Sequence, residues 1–160
     1  MELLGVRVEL PANTPILLLQ ETGGAKRVLP IYIGGPEAAS IAYALEGVES
    51  PRPLTHDLLK IVLGELGATL VKVTVTELVE HTYYAELDLQ VGDRHHLVSS
   101  RPSDAIALAV RTGTPIFADD KVLDEAGQAA STGEEDGESD EILEEFRSFI
   151  EHVSPDDFAS

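Results

Sequence analysis

Three short stretches of this 160-residue chain place a carboxylate where a helix is expected to begin: Gly34-Gly35-Pro36-Glu37, Leu54-Thr55-His56-Asp57 and Arg101-Pro102-Ser103-Asp104. The free backbone N–H groups of a helix start attract phosphate. Carboxylates brought together from separate helices can share Mg²⁺ or Mn²⁺. Glu37, Asp57 and Asp104 are therefore the candidate metal ligands. His56, in a first turn, suits a neutral general base near pH 7, with Asp57 and Asp104 beside it in the catalytic set. Arg52 and Arg101 are the candidate phosphate clamps, since a guanidinium can meet two phosphate oxygens at once. The same acids are also what a helix dipole favours for stability alone, at about 0.3–1 kcal/mol each. His95 and His96 are adjacent on an expected strand, so they face opposite ways and cannot chelate together.

The helix opened by Pro102 is central. Asp104 in its first turn and Arg111 in its last suit the dipole, Gly113 supplies a left-handed stop, and the AIALAV between them is apolar nearly all round. It belongs inside the domain, followed by a short strand at Pro115–Ala118 and a short helix over 119–126. Before it, a helix from Pro36 ends near Gly47, its alanines allowing close approach. A helix opened by Thr55 as N-cap turns Leu58, Leu59, Ile61, Val62, Leu63 and Leu66 inward. Strands are expected over 2–10, 15–20 and 27–33, the last two apolar enough to be covered on both faces or buried in a subunit contact. Val71, Val73 and Val75 alternate with Lys72, Thr74 and Thr76, opening a three-strand meander that ends at RHHLVSS and delivers the chain to the central helix.

RPSDAIALAVR followed by PIFADDKVLDEAG, together with VLPIYIGGPEAASIAYALEG, PRPLTHDLL, LGATLVKVTVTEL and TYYAELDL, closely resembles the signature of the bifunctional nuclease family of small bacterial and plant proteins. His81 stands at a turn where that family more often has glycine. The resemblance implies an enzyme that cleaves both RNA and DNA. The site roles above rest on the chemistry of the residues rather than on the family.

The fold class expected is α+β, with a mixed or largely antiparallel sheet, packed helices and pairing into a homodimer through alanine-rich or strand surfaces. The domain spans 1–127, an acidic linker 128–140 and a C-terminal amphipathic helix and tail 141–160, with Ile142, Phe146, Phe149, Ile150 and Val153 on one face. Net charge is −18, with 18 acids against 10 bases up to Gly127 and 11 against one beyond. An acidic body binds nucleic acid weakly and only with metal ions. There is no cysteine, which excludes disulfides and thiolate metal sites, and no run long enough for a membrane helix, so the cytoplasm is expected. A rival reading stays open: a non-catalytic regulatory or assembly module that recruits a protein partner through its acidic tail and terminal helix.

Overall fold

Two antiparallel ribbons and one buried helix organise the chain in the computed structural model, which describes residues 1–9 and 11–129. β1 (Glu2–Glu9), β2 (Thr14–Gln20) and β3 (Val28–Tyr32) form a meander in the order β1-β2-β3. β4 (Ala68–Val79), β5 (Thr82–Val91) and β6 (Arg94–Ser100) form a second, extended by β7 (Ile116–Ala118), which runs parallel to β4, in the order β6-β5-β4-β7. The helices are α1 (Gly35–Glu46), α2 (Thr55–Glu65), α3 (Pro102–Thr112) and α4 (Asp120–Ala126). The class is α+β. Among the described residues no helix is long and apolar enough to cross a membrane. The acidic stretch and the terminal helix lie, from residue 130 on, outside the described residues.

α3 is the centre. Residues 105–109 are all buried, packed on β4 and β5 below and against α1 and α2 at the sides. The helix starts at Pro102, whose missing N–H has no intrahelical acceptor to lose, and stops at Gly113 in the left-handed region. α1 rests on β1 and β2 and against α3, burying Ala38, Ile41 and Ala42, so two of its four alanines serve close packing inside the chain. β2 and β3 bury one face (Leu17, Leu19, Leu29, Ile31) and leave the other half-buried, with Tyr32 exposed. Within the single chain these strands are not covered on both faces, and the alternative, burial in a subunit contact, falls on the open face.

Two further departures have local causes. The register of β4 against β5 shifts between Leu70 and Lys72, so Leu70 and Val73 both face the core and strict alternation fails. The larger one is α2. Of its residues only His56 is buried, Asp57 and Leu63 are half-buried, and Leu58, Leu59, Ile61 and Val62 are exposed, as is Leu66 just beyond. The inward packing expected of those side chains does not occur, because the helix is held at its first turn and along the line of Leu63. Its N-cap is Leu54 rather than Thr55. The Asp57 carboxylate reaches back to accept from the Leu54 N–H at 3.0 Å.

The hairpin between β4 and β5 turns on Glu80 and His81, both at positive φ (48° and 65°), the twist a two-residue hairpin needs. Glutamate and histidine adopt that region at a cost that asparagine and glycine largely avoid. The double change Glu80→Asn with His81→Gly is expected to raise stability by about 1 kcal/mol, read as a higher midpoint in thermal unfolding.

Candidate active site at three helix starts

The first turns of α1, α2 and α3 meet at one place, because α1 and α2 both flank α3. Asp104 of α3 is the hub. Arg101, its own N-cap residue, donates from Nε to Oδ2 at 2.7 Å and from Nη2 to Oδ1 at 2.9 Å. His56 of α2 brings Nε2 to Oδ1 at 3.2 Å. The same Arg101 Nη2 reaches Glu37 Oε1 of α1 at 2.9 Å, so one guanidinium joins carboxylates from two helices. Burial opposes ionisation of Asp104, but the Arg101 and His56 hydrogen bonds outweigh it and hold the carboxyl below its ordinary range.

His56 has its other nitrogen engaged as well. Nδ1 lies 2.9 Å from Ser40 Oγ, one turn along α1 from Glu37. With Asp104 ionised, Nε2 carries a proton, and Nδ1 accepts from the Ser40 hydroxyl while the ring is neutral. The His56 side chain is only 10% exposed. The result is a chain of five side chains from three helices: Ser40, His56, Asp104, Arg101 and Glu37.

Asp57 points to a neighbouring anchor. Its Oδ1 accepts from Arg111 Nε at 2.5 Å, while Arg111 also donates from Nη1 to the Ala107 carbonyl and from Nη2 to the Ser40 carbonyl. Burial again works against the charged form of Asp57, and the Arg111 hydrogen bond and the Leu54 N–H prevail, so its pKa is lowered. Arg111 thus ties the far end of α3 to α1 and α2.

Of the residues expected from sequence, Glu37, His56, Asp104 and Arg101 form one network, and Asp57 lies one residue along from His56 in the adjoining pair. Arg52 stands apart on the exposed loop before α2, with no ion pair among the described residues. Ser40 and Arg111 take part although sequence reading gave them no site role. The available signals were Ser40 three residues from Glu37, and Arg111 seven from Asp104, each pair on one helix face. Among the described residues no three His, Asp or Glu side chains gather into a cage for a cation.

Residues 17–131 match the bifunctional nuclease domain. The chain belongs to that family. The bifunctional nuclease domain takes in every residue of the network and of the adjoining Asp57–Arg111 pair. Among its relatives, the uncharacterized protein Rv1829 of Mycobacterium tuberculosis is 45% identical over 99% of this chain and 96% of its own length. Bifunctional nuclease 2 of Arabidopsis thaliana is 35% identical over 67% of this chain and 34% of its own length. Bifunctional nuclease 1 of Oryza sativa subsp. indica is 29% identical over 71% and 34%. The chain therefore spans nearly all of the mycobacterial relative and about a third of the plant ones.

Proposed function

We propose that this chain hydrolyses phosphodiester bonds of RNA and DNA with the help of Mg²⁺ or Mn²⁺, and that it works as a homodimer. The observation that carries the catalytic reading is Arg101, 65% exposed and bridging Glu37 and Asp104. Glu37 Oε1 and Asp104 Oδ1 meet the same Arg101 nitrogen at 2.9 Å each, so once Arg101 turns away a small closing movement of the two side chains would let them share a divalent cation, and their hard oxygens suit Mg²⁺ or Mn²⁺. Mg²⁺ is commonly held by one or two carboxylates, with water and phosphate completing its shell, so Glu37 and Asp104 fit it without a third protein ligand. When bound, the ion supplies charge neutralisation and a more acidic coordinated water.

The chain's own residues do the rest. Arg101 is free on its solvent side to turn from its carboxylates onto a phosphate, two N–H groups to two oxygens. The open N–H groups at the starts of α1 and α3 favour the same anion. His56, with both ring nitrogens engaged, is a positioning residue that sets the orientation of Asp104. Asp57 has both oxygens engaged and anchors α2. The names of the plant relatives, bifunctional nucleases, support this chemistry, and the acidity of the body favours short or single-stranded substrates over tight duplex binding.

The rival reading, a non-catalytic module with a protein partner, is favoured by one observation: every carboxylate of the network already has an arginine or histidine beside it. Purified chain and its Arg101→Ala variant, assayed on RNA and single-stranded DNA with Mn²⁺ or EDTA, separate the two. Activity that follows the protein peak, disappears with EDTA and falls about 10- to 100-fold in the variant supports hydrolysis. Activity indifferent to the substitution, or absent from homogeneous protein with Mn²⁺, overturns it.

A further inference from the structure

α2 is an 11-residue helix, and a helix that short is marginal without tertiary support. Its own chain supports it along one line only, through His56 and Leu63. On the opposite side, the N-cap Leu54 is followed by Leu58, Ile61 and Val62, which fall within an arc of about 100° at 100° per residue. They are 37%, 53%, 45% and 42% exposed. Leu66, just past the helix, is 70% exposed, and the loop from Gly47 to Pro53 before it is exposed throughout, Val48 included. Isolated exposed leucines are ordinary, but a stripe of them is not.

Gly64 flanks the stripe, about 60° beyond Ile61 at 100° per residue. It sits in the last turn of α2 with φ outside the left-handed region, and a Cβ built on it would meet nothing within 4 Å. A helix glycine costs roughly 0.5–1 kcal/mol relative to alanine. Nothing in its own chain requires that cost, and the open space there leaves room for a neighbour along that edge of the stripe. Charge selects the occupant. Arg52 lies just before the helix and Glu65 ends it, and neither makes an ion pair among the described residues. Arg52 at the entry, an apolar stripe and Glu65 at the exit form a self-complementary pattern under two-fold rotation.

We propose that a second copy of this chain seats on that face, the two α2 helices running antiparallel about a two-fold axis between Leu58 and Val62. This deepens the homodimer reading and rests on it. Leu58 of each copy meets Val62 of the other, and Glu65 comes beside Arg52 and the amino-terminal turn of the other helix, where the dipole also favours a carboxylate. The stripe offers roughly half of the ~800 Å² per partner of a standard interface, and the exposed loop before α2 extends it. The same helix presents His56 and Asp57 to the network, so the contact that completes the dimer also braces the site.

The test uses the full chain in light scattering and sedimentation at tens of micromolar. Wild type at twice the chain mass is expected. Leu58→Asp with Ile61→Asp is expected to be a monomer with unchanged far-ultraviolet circular dichroism, since both side chains are already exposed. Arg52→Glu and Glu65→Arg are each expected to weaken association about 2- to 5-fold, and their combination to restore it. Because the chain has no cysteine, Ile61→Cys places a single thiol near the axis and is expected to cross-link under mild oxidation. Leu97→Cys on β6 is not. A monomeric wild type overturns the homodimer and this face together. A wild-type dimer that survives the double aspartate variant, or cross-links through Leu97→Cys and not Ile61→Cys, overturns the face alone. Failure of the charge exchange to restore association overturns the antiparallel arrangement.

Discussion

Asp104→Asn is expected to lower turnover on RNA and single-stranded DNA by about 10²- to 10³-fold while moving the unfolding midpoint little. The asymmetry follows from what the carboxylate touches. Asparagine keeps the shape but loses the charge that Arg101 and a cation both need, and it turns one acceptor oxygen into a donor facing Arg101 or His56. If the amide NH₂ faces His56, the ring must present Nε2 as acceptor and move its proton to Nδ1, which then donates to Ser40 Oγ. That tautomer exchange is visible in the ¹⁵N chemical shifts of the imidazole and separates loss of positioning from loss of fold. Stability is little affected because the ion pair removed is with an exposed arginine, and exposed pairs contribute about 0–1 kcal/mol. A variant with unchanged turnover and an unchanged response to Mn²⁺ removes Asp104 from the ligand set.

His56 gives the matching control. Truncating it to alanine leaves the Asp104 charge and its Arg101 partner in place, so a loss of about 10- to 100-fold is expected, the scale seen when a partner of a ligating group is removed. A positioning role predicts that His56→Gln, whose amide can reach toward Asp104, recovers part of it. A histidine that met the substrate directly would not be rescued.

Much of this arrangement is legible in the chain itself, and the illegible parts share a cause. Gly47 and Gly113 mark helix ends because a left-handed residue is needed there. Pro102 marks a start, and AIALAV a buried helix, because no face of it is polar. Glu37, His56, Asp57 and Asp104 are readable as first-turn residues, since local chemistry decides them. Their convergence is not. The Ser40–His56 contact spans 16 residues and the Arg111–Asp57 pair spans 54, and spacing within one element says nothing about which elements meet. α2 misleads for a related reason. Hydrophobicity says that Leu58, Ile61 and Val62 want cover without saying from which molecule, and periodicity cannot separate a core face from an interface face. The shift in β4 hides similarly, because one extra residue in a strand leaves its composition unchanged.

Asp57→Ala is expected to be the most destabilising single change in the network, at about 2–4 kcal/mol. The side chain of Arg111 is only 7% exposed and Asp57 is the acid paired with it among the described residues. Removing the carboxylate leaves a buried guanidinium with two carbonyls and no counter-charge, and it also frees the Leu54 N–H at the start of α2. The lower part of the range allows for the 36% exposure of Asp57, through which water reaches the pair. At about 3 °C per kcal/mol, the midpoint falls by roughly 6–12 °C. Arg111→Met in the same background is expected to recover part of the loss, because an apolar chain of similar length leaves no unpaired charge. The pH profile carries the same signature. A carboxyl whose folded pKa is lowered contributes fully above its unfolded value, and the contribution is lost as pH falls through the folded one. Wild type is therefore expected to lose stability on acidification below about pH 4, where aspartates of ordinary pKa begin to take up protons. Asp57→Ala should follow a shallower curve there, and a mutant curve parallel to wild type would remove Asp57 as a source of the acid sensitivity.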